Sequence, residues 1–354
     1  MSRMTLSDRL QACAGRTAAR LAAEQRDDGS FGPSHENLAS YVKVPSLFLA
    51  AGRWDVADRA LGFAAERFMQ EDGGFPTPHL PAAHPGQAGG WIAMAAQRLG
   101  RFEVSSPAWG HFRRHFHPEL GGCCVEGPYE AGAERQVDML MTAHLGTCAL
   151  FFGDGEIAHR SEQLLVRFLD QQPDPKAHIL LRMNGRGELV GDFDAGRAAT
   201  HEIRADAANQ GWFHIGYPVA FLGLLHRVTT SGEALRAARG YLEFALACPP
   251  LPGELLAHEV AWAAAILGEI AEAPRYFDLS VEIARNLIAS QGTGGLWREG
   301  EAEPHECFDL SAEIALWLLE IARVAPIACR PERSRAEVTS TAWRRGVGAW
   351  SLRR

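Results

Sequence analysis

The 354-residue chain is short of several things, and each shortage excludes something. No apolar run approaches the ~18 residues that a membrane span needs. The first residues, MSRMTLSDRLQACAGR, lack a continuous apolar core, so no signal peptide is expected. Basic residues are outnumbered, 35 Lys and Arg against 43 Asp and Glu, for a net charge of −8. A nucleic-acid partner, which needs a concentrated basic surface, is therefore not expected. There is no Gly-rich phosphate loop, no Walker lysine motif, no dinucleotide fingerprint and no Gly-x-Ser-x-Gly elbow. No cofactor is expected, and what remains is acid–base chemistry by side chains. There is also no Cys-x-x-Cys and no His-Glu-x-x-His. Cys123-Cys124 and His305-x-Cys307 raise the question of zinc, but they make no recognisable tetrahedral set, and no metal is expected. These thiols are either nucleophiles or packed. Seven cysteines without a disulfide framework fit a reducing cytoplasm; Cys13, Cys148 and Cys248 lie in apolar stretches and read as small hydrophobes.

What is present is an alternation. Six segments are nearly free of charge: Tyr41–Ala51, Gly89–Leu99, Val137–Phe152, Gly211–His226, Leu255–Ile270 and Phe308–Ile321. Each follows a segment with one polar face: Asp8–Gln25, Asp55–Gln70, Phe102–Phe116, Glu156–Gln171, Gly232–Cys248 and Pro274–Gln291. A helix apolar all round must be buried on every side, and an amphipathic one lies at a surface. Six of each predict an all-α (α/α)6 toroid, with buried inner helices, solvent-facing outer helices and a central cavity. Residues 1–323 are expected to form this barrel as one domain. Residues 324–354 read as a basic extension, with seven arginines against two glutamates, available to join subunits.

The outer segments end alike. Gln25-Arg26-Asp27-Asp28-Gly29-Ser30-Phe31, Gln70-Glu71-Asp72-Gly73-Gly74-Phe75 and Gln291-Gly292-Thr293-Gly294-Gly295-Leu296-Trp297 share Gln, polar residues, Gly and an aromatic. Gly stops the helix in the left-handed conformation, and the aromatic folds back on its end. Pro45 and Pro218 mark inner-helix starts or kinks. Thr230-Ser231-Gly232-Glu233 reads as a capping box. Outer-to-inner links are long and inner-to-outer links short, so the long loops gather at one end, around the inner helices' N-termini. Long irregular loops in compact proteins are usually functional. In the longest, His178–Met183 and Glu188–Phe193 flank Asn184-Gly185-Arg186-Gly187 and predict a β-hairpin near 178–193.

These Gln-x-x-Asp-Gly-x-Phe/Trp ends resemble the repeats of the terpenoid cyclase and prenyltransferase toroids. The six-hairpin count resembles the six-hairpin glycosidases and sugar epimerases. The chain has no Asp-x-Asp-Asp box, so squalene-type cyclisation is not implied. Neither does it match the prenyltransferase zinc set, and fold likeness does not settle function.

Candidate catalytic residues lie at the starts of inner segments. Asp138 and His144 share the third; a buried Asp facing a cavity can have a raised pKa and donate a proton, or it can simply be a helix N-terminal charge. Asp309 and Glu313 share one face of the sixth at i, i+4, and paired acids of divergent pKa run acid–base chemistry. The alternative is an N-cap and an ion pair. His214 can move protons near neutral pH, with Trp212, Phe213 and Tyr217 around it as an apolar or cation-stabilising wall. Tyr41, Lys43, Trp91, His258 beside Glu259, Trp262, His305, Cys307 and Phe308 complete the expected lining of the mouth.

The leading expectation is a cofactor-independent lyase, isomerase or cyclase acting on a small, largely apolar, terpenoid-like natural product. A carbohydrate-active enzyme (glycoside hydrolase, uronate lyase or sugar epimerase) is the alternative. A non-catalytic repeat scaffold is a third reading, although its loops should be short and regular. Cavity polarity discriminates: few acids favour the first reading, many convergent polar groups and an Arg the second.

Overall fold

The structure is a computed structural model that describes residues 4–32, 36–76 and 86–328. Outer helices are α1 (Leu6–Glu24), α4 (Trp54–Phe68), α6 (Phe102–Arg113), α8 (Gly155–Asp170), α11 (Gly232–Leu246) and α13 (Pro274–Ser290). Inner helices are the pair α2 (Ala39–Val42) and α3 (Val44–Ala50), then α5 (Gln87–Leu99), α7 (Met139–Phe152), α10 (Phe213–Thr229), α12 (His258–Ile270) and α14 (Pro304–Ala328). A further short helix, α9 (Ala198–His201), lies in the longest link. The inner helices pack in sequence from α3 through α5, α7, α10, α12 and α14 back to α3, and α1 packs on α14. This is the expected α/α toroid, closed on itself. Among the described residues, no helix is long and apolar enough to cross a membrane.

The repeated Gly turns are the joints of the ring. Gly29, Gly73, Gly121 and Gly295 all have positive φ. A Cβ on Gly29 would meet the Arg59 carbonyl oxygen of α4 at 2.1 Å, one on Gly73 the Pro107 oxygen of α6 at 2.3 Å, and one on Gly121 the Arg160 oxygen of α8 at 2.6 Å. Each turn is thus seated on the backbone of the next outer helix, and only glycine satisfies both the left-handed conformation and the close approach. The last turn docks on the first helix. Gln291 donates to the Cys13 carbonyl at 3.0 Å, and the Thr17 hydroxyl donates to the Gly295 carbonyl at 2.7 Å. Trp297 folds back as expected, its indole N–H donating to Leu287 of α13 at 2.9 Å.

Two local expectations are corrected. The predicted hairpin is only partly formed. Asn184–Gly187 does turn, with Gly187 donating to the Asn184 carbonyl, but pairing with the following segment stops at a Met183–Leu189 bridge and one bond from Val190 to Arg182. The first arm instead splits. Strand β4 (His178–Leu180) pairs with β6 (Glu202–Arg204), while β5 (Arg182–Met183) joins β1 (Phe116–His117), β2 (Gly122–Cys124) and β3 (Val137–Asp138) in the order β1-β2-β3-β5. The larger sheet offers the buried Arg182 and Met183 an apolar partner that a free flap lacks. Thr230 ends α10 in the left-handed region, and Ser231 alone caps α11 by accepting from Ala234. Pro45 lies in the first turn of α3, whereas Pro218 is inside α10. The basic tail beyond residue 328 lies outside the described residues.

Gly216 carries a specific prediction. A Cβ there would meet backbone atoms of Glu259 and Val260 at 2.6 and 2.7 Å, so α10 and α12 touch through it. Gly216→Ala must push the helices apart. It is expected to lose about 1–3 kcal/mol in urea unfolding and, because Tyr217 moves with it, activity as well.

Candidate active site

Lys43 stands at the break between α2 and α3, two residues before Pro45, which cannot donate a helical hydrogen bond. It is one of two lysines in a chain with 35 basic residues, and it is buried. Its ammonium donates to Asp309 Oδ2 at 2.7 Å and to Glu313 Oε2. The i, i+4 spacing on α14 is what lets one cation serve both acids. The Tyr217 hydroxyl, from α10, donates to Glu313 Oε1 at 2.9 Å. From the first turn of α12, His258 Nε2 lies 3.1 Å from Glu259 Oε2 and 3.6 Å from Glu313 Oε2. The other ring nitrogen, Nδ1, faces the Leu255 carbonyl at 2.9 Å, which fixes the ring. One ligand-capable atom from each of His258, Glu259 and Glu313 lies within 4.8 Å of the others. These three are the described group whose spacing could hold a metal, but the Lys43 ammonium already sits on the Glu313 oxygen, so a cation there would face a like charge.

Burial disfavours charge on all of these groups, and their neighbours decide which keep it. Burial alone would raise Glu313, but Lys43 and His258 hold its carboxyl well below the usual range. Glu259 is pushed up to about 7 by burial and by the Glu313 carboxylate. His258 is raised to about 10, its two glutamates outweighing burial. Burial raises Asp309 despite Lys43.

Beneath the acids lie aromatics. Trp262 is one turn below His258 and Trp317 one turn below Glu313; their rings stack at 3.9 Å. Trp91, from α5, reaches Trp317 at 5.7 Å and His144 at 5.9 Å. His144 meets Tyr217 edge-on at 5.8 Å and contacts the Gln87 carbonyl at 3.1 Å; burial lowers its pKa to about 4, so it is a neutral ring. Side chains of α5, α10, α12 and α14 thus meet one another on the inner face of the ring. The cluster meets solvent at Asp309, whose side chain is 20% exposed. A separate cleft of about 280 Å³, lined by Glu254, Asn286, Trp297 and Arg298 among others, holds none of these residues.

The structure therefore brings together Lys43, Trp91, His144, Tyr217, His258, Trp262, Asp309 and Glu313. It places others elsewhere. Asp138 caps α7, accepting from Met141 at 2.9 Å, and lies 3.7 Å from Arg182; burial raises it to about 6. Its contacts are those of the helix-end reading, not of a site acid. Tyr41 accepts from the Phe31 N–H at 3.1 Å and packs on Phe31, Phe63 and Phe68. Phe308 packs edge-on against Phe31. Cys307 donates to the Trp297 carbonyl, and burial raises its thiol. These three seat the first and last repeat turns and do not line the cluster. Trp212 is fully buried in the core, His214 is buried beside Phe213 at 4.8 Å, and His305 is half-buried at the start of α14. Cys123 and Cys124 are buried thiols raised by burial, which disfavours a nucleophilic thiolate. Glu259 and Trp317 carry more of the site than their surroundings in the sequence advertise. The usable signal was spacing: 309, 313 and 317 on one helix and 258 and 262 on the other recur at i, i+4.

No protein-family model matches this chain, and no curated protein matches it in sequence. Solved structures do match. A D-mannose isomerase aligns with TM-score 0.63 and 13% identity over 90% of this chain and 99% of its own. An unsaturated glucuronyl hydrolase specific for heparin aligns at 0.62 and 12%, over 92% and 100%. The α-1,6-mannanase GH76A of Salegentibacter sp. HEL1_6 aligns at 0.57 and 13%, over 89% and 99%. The fold is the six-hairpin α/α toroid of these proteins. Identity this low shows the fold alone, yet all three names are those of carbohydrate-acting enzymes. They favour the carbohydrate alternative over an apolar, terpenoid-like substrate. The crowd of polar groups at the cluster meets one half of the polarity criterion set for the carbohydrate alternative; the arginine it also named is not among the described residues of the cluster.

Lys43→Met should leave two buried carboxylates facing each other. Breaking a buried ion pair from one side costs about 3–5 kcal/mol, and the exposed edge of Asp309 places this loss at the lower end. Adding Glu313→Gln to that variant should recover part of it; equilibrium denaturation of both variants checks this.

Proposed function

We propose that the chain is a carbohydrate-active isomerase that shifts a proton between adjacent carbons of a sugar. The observation that carries this is the tightness of the acid–base set. Flanking carboxylates of a glycosidase stand about 5–10 Å apart, on either side of the scissile bond. Here one ligand-capable atom each of His258, Glu259 and Glu313 lies within 4.8 Å of the others, with the His258 ring against both acids. Groups this close cannot straddle a glycosidic linkage. They suit a proton that leaves one carbon and returns to its neighbour on the same face.

The roles follow from the charges. Glu313 is bound by Lys43, Tyr217 and His258 and is too weak a base to take a carbon-bound proton. It holds the other groups in place. Glu259, poised near neutrality, takes the proton from C2 of an open-chain aldose and returns it to C1. The cationic His258 gives its proton to O1 as the enediol forms and takes the O2 proton as C1 is protonated, so that O2 becomes the carbonyl and His258 is regenerated. Nothing is oxidised or reduced overall, so no co-reactant is required. The tryptophans give the sugar ring an apolar face to lie against.

The test is hydrogen exchange at C2 of neutral aldoses, D-mannose first, in deuterated water followed by proton NMR. Wild type should wash out the C2 hydrogen, and Glu259→Gln should lower the rate by about 10²–10⁴-fold, the usual worth of a general base. Glycoside hydrolysis without exchange would overturn the reading. The rate should rise as pH passes about 7, where Glu259 loses its proton, and fall as pH passes about 10, where His258 loses its own.

A further inference from the structure

The unpaired atoms around the cluster say what kind of sugar it accepts, given that the cluster is a sugar site as proposed above. Glu259 Oε2 and His258 Nε2 face each other at 3.1 Å, and three further buried polar atoms there lack a hydrogen-bond partner among the described residues: Asp309 Oδ1, Trp317 Nε1 and Trp91 Nε1. The last lies beside the Tyr217 phenol without completing a bond to it. A buried polar atom left unpaired costs about 1–3 kcal/mol, so such a group is a standing demand for a partner. The demand here is mixed. Indole N–H groups want acceptors and carboxylate oxygens want donors. A hydroxyl supplies both; a carboxylate supplies only acceptors.

The cations are already spoken for. The cluster holds two, Lys43 and His258, against three carboxylates, Asp309, Glu313 and Glu259. Lys43 is paired with two carboxylates, Asp309 and Glu313, and His258 faces Glu259 and Glu313. No arginine joins them among the described residues. An incoming carboxylate would meet no free positive charge and would approach Asp309, the acid nearest solvent.

We propose that Asp309 is a specificity-determining residue: by neutralising Lys43 at the open edge of the cluster, it restricts the site to uncharged polyhydroxylated sugars and excludes uronic acids. The placement makes Asp309 separable from the proton-moving set. It touches Lys43 from the solvent side, whereas Glu313 holds Lys43 from within.

Replacing Asp309 with Asn keeps the shape and leaves Lys43 a positive charge with one carboxylate instead of two. The experiment is a binding titration by calorimetry with D-glucose, D-mannose, D-glucuronate and D-mannuronate, on wild type and on Asp309→Asn. Wild type should bind a neutral aldose at least tenfold more tightly than its uronate. Asp309→Asn should narrow that ratio by tenfold or more, chiefly by gaining the uronate, and the gain should shrink as salt rises. A wild type that binds uronate as tightly as the neutral sugar overturns the proposal, even if the variant fails to fold. A folded variant with an unchanged ratio overturns it too. Binding of neither class by wild type would instead remove the sugar-enzyme reading itself, and this proposal with it.

Discussion

The ammonium of Lys43 is the contact on which this end of the toroid depends. It ties the first inner helix to the last, and it makes tolerable a concentration of buried acid that the fold could not otherwise hold. Removing carboxylates from water costs several kcal/mol each, and only close, well-directed cations repay it. With Lys43 and His258 in place, Glu313 stays ionised while the proton affinity of Glu259 is lifted toward neutrality. Two glutamates in one buried cluster are thereby driven to different protonation states, which is the usual way proteins obtain an acid and a base from the same side chain. Tyr217, from α10 on the far side of α12, completes the arrangement by donating to the remaining Glu313 oxygen.

The ring around the cluster does a different job. Gly turns at 29, 73 and 121 sit on the next outer helix, and the Gln25 and Gln291 side chains reach into neighbouring backbone, so that these hairpins are fixed against the following ones. Because the last turn docks on α1, errors cannot accumulate along an open edge, and the inner helices arrive at the axis in a set register. The first turns of α12 and α10, with Gly216 between them, then hold His258, Glu259 and Tyr217 in place. The stack of Trp262 on Trp317 lies one turn below the acids and gives them an apolar floor.

Much of this was legible from the chain. Charge-poor segments alternating with amphipathic ones are a direct consequence of burying one ring inside another. The Gln–Gly–aromatic ends announced the joints, although not that the glycine was needed for contact with the following helix. The acids on α14 and His258 were visible because charge in an apolar helix is conspicuous. Asp138 was equally conspicuous and turned out to cap its own helix. A carboxylate in a first helical turn serves the backbone and a site equally well, and only the surrounding elements tell which. Tyr41, Cys307 and Phe308 misled in the same way: their positions at inner-helix starts were right, but their faces turn toward the repeat turns.

The amino-acid order by itself determined the ring, since period and polarity decide which faces are buried whatever the neighbours are. It also singled out acids, histidine and aromatics at the starts of the inner segments as the candidate groups. Tertiary structure alone decided which of them meet. Lys43 and Glu313 are 270 residues apart, and no local rule connects them. Their pairing follows from ring closure, and with it the charge of every group in the cluster, because the pKa of a buried group is set by what stands within a few ångströms of it in space.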